Sequence, residues 1–301
     1  MGEEKKYQHL VPRVYLKNWA SRIDTSKGKK NKIVYINRYN KNNIFMDGLE
    51  VSTFEFGGIN EYHTLTKDSL YLKEEYKQRI EDNETRILDI EHKLGVLENS
   101  WALLFKWIEN NIGNTTKEKI PEYKKEQIIS CVILMAYRGF KGTDLMKKDV
   151  LNLLSWIKDE KLNSIIHDIY IKWNEFSKDH LLEYMDKYLD GENGIITRVC
   201  EYRSSRCKIR FLVSPEGMEF LTSDNPSFEC EITTNNGVST THIMPITKKI
   251  VIMLLNQDEK DGKYEIYRMT EDEVKNLNRS IVDKSYEYVV SNRTNIREIL
   301  I

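Results

Sequence analysis

Glu219-Phe220-Leu221-Thr222-Ser223-Asp224-Asn225-Pro226 is the stretch on which the reading of the fold turns. Phe220 and Leu221 favour a strand, Asp224 and Asn225 bond to local backbone in turns, and Pro226, which lacks an N–H, stops a strand from continuing. A strand over 218–222 is expected, ending in a polar turn that presents one carboxylate and one amide.

Around it the sequence reads as strands. Runs rich in β-branched and aromatic residues at 195–202, 208–213, 242–244, 250–255 and 263–268 are separated by Ser-Pro-Glu-Gly, Asn-Asn-Gly and Lys-Asp-Gly turns, which predicts antiparallel pairing. A helix over 271–285 is expected from Thr270 followed three residues later by Glu273, a capping box, with a strand over 286–290 after it. Upstream, from Asp68 to beyond Tyr188, the apolar period becomes helical. Leu70, Ile80, Ile87, Ile90, Leu94 and Leu97 form a stripe, Gly95 is the expected break, and Pro121 opens a helix that is apolar on several sides and closes at Tyr137-Arg138-Gly139. Near the N-terminus Pro12 suits a first helical turn that puts Tyr15, Leu16 and Trp19 on one face, and 32–39 reads as a buried strand. The expected fold is α+β, a large helical body packed on a mostly antiparallel sheet of C-terminal strands plus an N-terminal strand. It would be a single intertwined domain over 1–301, comprising an N-terminal part (1–60), a helical insertion (61–192) and the sheet with its C-terminal helix (193–301). Neither β part has enough strands to stand alone.

Composition bounds the function. The 301 residues are 40% hydrophobic and 31% charged with a net charge of −1, the profile of a folded globular chain long enough to bury about three quarters of its unfolded surface. Cys131, Cys200, Cys207 and Cys230 show no paired or zinc-finger spacing and are expected as free thiols of a reducing cytoplasm. No leader and no membrane span are expected, because no apolar run is long enough. P-loop, G-x-S-x-G, H-E-x-x-H and paired-cysteine zinc motifs are absent from the sequence, which removes the commonest ATPases, serine hydrolases, zincins and deaminases.

Two basic regions point to polyanions. The segment through Lys41 carries Lys5, Lys6, Arg13, Lys17, Arg22, Lys27, Lys29, Lys30, Lys32, Arg38 and Lys41 against Glu3, Glu4 and Asp24. Arg198, Arg203, Arg206, Lys208 and Arg210 form a second cationic ribbon around Tyr202. Together with Arg13 these are the candidate RNA or DNA contacts. Alternation on a half-exposed strand accounts equally for Lys208 and Arg210. His9, placed before the Pro12 helix, is a candidate acid or base whose pKa a helix dipole would depress. Glu98 sits beside an apolar stripe and needs a partner, and Arg138 ends a buried helix and needs an anion.

With those residues in view, the chain resembles a bacterial domain-of-unknown-function family, number 4238, over nearly its whole length. Carrying the resemblance are His9-Leu10-Val11-Pro12-Arg13-Val14-Tyr15-Leu16-Lys17-Asn18-Trp19, Leu97-Glu98-Asn99-Ser100-Trp101, Arg138, Thr222 to Pro226 and Met244-Pro245-Ile246-Thr247. The resemblance marks His9, Pro12, Glu98, Arg138, Asp224, Asn225 and Pro245, and it implies an intracellular bacterial protein of a kind often met among stand-alone anti-phage effectors, by association and not by mechanism. Two functions follow as expectations. In the first, His9, Glu98, Arg138, Asp224 and Asn225 form a hydrolytic site of nuclease or phosphodiesterase type. His9 is acid or base, Glu98 and Asp224 hold Mg or Mn or position water, and Arg138 and Asn225 stabilise phosphoryl charge. In the second, the chain is a sensor or interaction protein and the same cluster is a structural polar network.

Overall fold

The computed structural model describes residues 7–26, 28, 32–60, 65–66, 86–87, 89–112, 120–138, 207–234, 237–256 and 264–301. In chain order the elements are β1 (Tyr7–His9), α1 (Arg13–Leu16), β2 (Arg22–Asp24), β3 (Ile33–Asn40), β4 (Leu49–Ser52), β5 (Gly58–Asn60), β6 (Leu65–Thr66), β7 (Arg86–Ile87), α2 (Asp89–Ile112), α3 (Glu122–Arg138), β8 (Cys207–Val213), β9 (Thr222–Ser223), β10 (Phe228–Thr234), β11 (Gly237–Pro245), β12 (Ile250–Asn256), β13 (Glu265–Arg268), α4 (Glu271–Lys284) and β14 (Tyr288–Ser291). The class is α+β. The expected helices over 145–188 and strand over 195–202 lie outside the described residues.

Among the described residues the strands form two five-stranded sheets and the two-stranded pairs β1-β5 and β6-β7, rather than the one sheet expected. One runs β10-β11-β12-β8-β13, antiparallel except that β13 lies parallel to β8. The other runs β2-β3-β14-β9, with β4 also paired to β3. In it the N-terminal strand β3 pairs antiparallel with β14, Asn40 opposite Tyr288 and Asn37 opposite Ser291, so the two ends of the chain share a sheet. Strand β10 was not expected, although Phe228, Cys230 and Ile232 alternate with Glu229 and Glu231 and lead into the Asn-Asn-Gly turn.

Alternation along β8 and β12 makes the first sheet a wall between two cores. Ile209, Phe211 and Val213 join Ile250, Ile252 and Leu254 in one cluster with Trp19, Trp101, Phe105 and Ile129, whereas Leu212 and Val251 join Phe220, Val274 and Ile281 in the other. Helix α2 turns Leu94, Trp101, Leu104, Phe105, Ile108 and Ile112 inward at helical spacing. Helix α3, which follows Pro121, buries Ile128, Ile129, Val132, Leu134, Met135 and Ala136. Each of the Ile, Leu, Val, Phe and Met side chains among them contributes about 1.5–3 kcal/mol relative to exposure. The capping box at Thr270 and Glu273 is formed, and α4 begins where the sequence places it.

Three local expectations are corrected. Ile87 lies in β7, paired with Leu65, and not in a helical stripe that begins near Asp68. Gly95 does not break α2, because helix geometry is within its reach and the apolar stripe on either side drives continuous packing. Residues 218–221, of which Met218, Phe220 and Leu221 are buried, are not a strand, because their backbone groups bond mainly to side chains. Trp19 Nε1 donates to Phe220 O at 2.9 Å, Leu221 N donates to Asn278 Oδ1 at 2.9 Å and Asn278 Nδ2 donates to Glu219 O at 2.9 Å. Phe220 N reaches Lys248 O at 2.8 Å. The segment crosses from one sheet to the other, and only Thr222 and Ser223 pair with β14.

Candidate functional site

The segment 12–19 and the two later motifs meet in the interior. Tyr15 Oη lies 2.6 Å from Thr222 Oγ1 and donates to Pro245 O at 2.7 Å, and Asn18 Nδ2 donates to Ile246 O at 2.7 Å. Burial holds the Tyr15 phenol well above its ordinary pKa, so it remains a neutral donor. Polar atoms with no access to water must be satisfied internally, and these bonds satisfy the chain where Thr222 to Pro226 and Met244 to Thr247 leave the regular ladders.

Asp224 and Asn225 work in the same way at the second sheet. Both oxygens of the buried Asp224 carboxylate accept backbone amides, Oδ1 from Tyr286 at 2.8 Å and Oδ2 from Glu287 at 2.7 Å and Tyr288 at 2.8 Å. Burial pushes this carboxyl above its ordinary range, and the three amides oppose that shift. Asn225 Nδ2 donates to Lys284 O at 2.9 Å, closing the end of α4. The turn 224–225 thus joins the end of α4 to the start of β14.

The remaining three candidates come together elsewhere. Arg138 is among the largest fully buried side chains, and its Nη1 donates to Glu98 Oε1 at 2.5 Å and its Nη2 to the carbonyl of His9. Its partner Glu98 keeps 22% of its side chain exposed, against none for Arg138. The guanidinium therefore cannot meet a substrate phosphate from solvent. It positions Glu98 and the end of β1. His9 lies in a strand, not against a helix end, and α1 has only four residues, so no helix dipole tunes the ring. His9 Nε2 lies 3.2 Å from Phe54 O. A carbonyl can only accept, so in the neutral ring the proton sits on Nε2 and Nδ1 carries the lone pair.

Arg13 completes the cluster. Its guanidinium lies 3.1 Å from the centre of the Phe54 ring, and its pKa is lowered by partial burial, an effect the charge of Glu98 offsets in part. Among the described residues, Arg13 Nε and Arg138 Nε are buried without a hydrogen-bond partner. Gly57 sets the position of β1: at φ 69° its carbonyl accepts Leu10 N and Val11 N, and an added Cβ would lie 3.1 Å from Val11 Cβ. The result is a half-exposed face of His9, Arg13, Phe54 and Glu98 above a buried arginine.

Fit to a divalent ion is poor for the pair named from sequence. Glu98 is tied to a guanidinium that would repel a cation, and the Asp224 oxygens point at three amide donors. Of the cationic ribbon, Arg198, Arg203 and Arg206 lie outside the described residues. Lys208 and Arg210 sit on β8, where Arg210 donates to Glu265 at 2.8 Å and Lys208 lies 4.0 Å from the same carboxylate. Alternating burial along β8 accounts for both. A groove of about 450 Å³ lies along Asn292, Arg293, Thr294, Asn295 and Glu298, but Arg293 is held by Glu219 and Asn295 by Asp47.

A family profile described as "Protein of unknown function (DUF4238)" matches residues 7–295. The chain belongs to this family. No curated protein and no solved structure matches it. Within the family's segment, sequence reasoning passed over Tyr15, Asn18 and Asn278 as hydrogen-bonding residues and Phe54 as part of a site. Tyr15 and Trp19 lie on one apolar face, as their spacing predicts, but their polar tips do the joining. No pattern marks Asn278, which lies inside the otherwise ordinary helix α4.

Proposed function

We propose that the chain is a phosphodiester-cleaving protein of nuclease type acting at the face of His9, Arg13, Phe54 and Glu98. The observation that carries this reading is the convergence on one half-exposed surface of an imidazole, a carboxylate and a guanidinium, fixed from below by Arg138. His9 Nδ1 is the acid or base, Glu98 orients a water or hydroxyl, and Arg13 takes the charge that develops on phosphoryl oxygens. This set needs neither Asp224 nor Asn225. A role as a stand-alone anti-phage effector belongs to the same reading, since cleavage of cellular RNA or DNA arrests growth.

The second reading is the sensor or interaction protein with a structural network, and it is favoured by the commitment of Arg138 to Glu98 and to the His9 carbonyl. One experiment separates them. Purified wild type and His9→Ala are given single-stranded and duplex RNA and DNA, with and without Mg or Mn, and their melting temperatures are measured alongside. The enzyme reading expects His9→Ala to lose about 100-fold or more in cleavage with its melting temperature retained. Undiminished cleavage by a folded His9→Ala, or no cleavage by wild type on any substrate, overturns it.

A further inference from the structure

Phe54 is the exposed member of the cluster, with 46% of its surface in solvent, although large aromatic side chains are mostly buried. It occupies the turn between β4 and β5, its carbonyl anchors His9, and one face of its ring is covered by Arg13. An aromatic face next to a guanidinium is a platform on which a nucleobase stacks while the adjacent phosphate meets the cation. Beyond Arg13 the positive charge continues. The exposed Lys17 follows Arg13 by four residues, one turn further along α1 and the 3-10 turn that continues it, so the two cations share one side of that helix. Like charges gathered this way are stabilised by a polyanion laid across them.

We infer that this face binds a single-stranded nucleic acid, one unpaired base stacked on Phe54 and the following phosphates running over Arg13 and Lys17. The inference rests on the cleavage reading for its site and names the substrate that site takes. A duplex cannot offer a base to Phe54 without unpairing it, so single strands are preferred. A free nucleotide supplies the base and one phosphate but not the second phosphate at Lys17, and it binds more weakly.

The test is fluorescence anisotropy with a labelled single-stranded RNA of about ten nucleotides, the length one such face covers. The full chain is titrated between about 50 and about 200 mM salt, with Phe54→Leu and Lys17→Ala as variants and a free mononucleotide and duplex RNA as competitors. Two phosphate contacts give a log–log salt slope of about −1.4 for wild type, and Lys17→Ala reduces its magnitude by about 0.7. Phe54→Leu weakens binding about tenfold with the slope unchanged, because stacking carries no charge. Phe54→Leu binding like wild type, or a mononucleotide or duplex competing as well as the single strand, overturns the inference. Absence of wild-type binding overturns it too. His9-dependent cleavage alongside any of these failures leaves the cleavage reading standing, whereas loss of that cleavage removes the reading itself.

Discussion

Asp224 was read from sequence as a reactive carboxylate at a strand end, and its surroundings give it other work. With three backbone amides at 2.7–2.8 Å, both oxygens are acceptors, and no position suits a donor. The sequence suggested that Asp224→Asn would keep the turn, but the amide nitrogen of Asn would face an N–H. Asp224→Asn is therefore expected to lower stability by about 2–3 kcal/mol, the scale of hydrogen bonds to a charged group plus an unpaired donor. Urea unfolding measures this. A midpoint equal to that of wild type would remove the clamp from the account and return Asp224 to the list of reactive candidates. What the sequence marked here was a site of constraint. What its carboxylate bonds to depends on residues 286–288, more than sixty positions away, which no local pattern connects.

At the scale of elements, the legible parts were those with a strong local code. The capping box of α4, the Pro121 start of α3 and the alternation of β8 are physical preferences expressed within a few residues. Residues 218–221 show where the code runs out. They have strand composition, yet a ladder is replaced by Trp19, Asn278 and Lys248, contributed from three other places. Gly95 shows the opposite failure, a breaker overruled by its flanks. The Cβ of an alanine at Gly95 meets nothing within 4 Å, so Gly95→Ala is expected to stabilise α2 by about 0.5–1 kcal/mol. A raised melting temperature without change in cleavage or binding is the expected result. A lowered one would mean that the position needs its freedom of backbone after all.

Across the whole molecule, the two sheets are tied through Tyr15. Its hydroxyl touches Thr222, in the sheet that contains β3 and β14, and the carbonyl of Pro245, at the end of β11 in the other sheet. Tyr15→Phe keeps the packing of the ring and leaves these buried groups unpaired, at a cost of about 1–3 kcal/mol. Because the bond bridges the sheets, the loss should shift one shared unfolding transition and not split off a partial one. Followed by tryptophan fluorescence and far-UV circular dichroism, the two curves should move together. Separate midpoints would show that the sheets melt independently.

The pairing of β3 with β14 also sets an order in time. Asn37 bonds the carbonyl of Asn292, 255 residues further along, so the sheet that contains β3 cannot be finished until residue 292 has been made. At ribosomal rates of about 5–20 residues per second, β3 waits roughly ten to fifty seconds for its partner. Over that interval the stretch of β3 destined for β14, which includes the eventually buried Asn37 and Tyr39, is an open template for other chains. A chain truncated just before Tyr288 is expected to keep that stretch uncovered, because it lacks the strand that pairs with it.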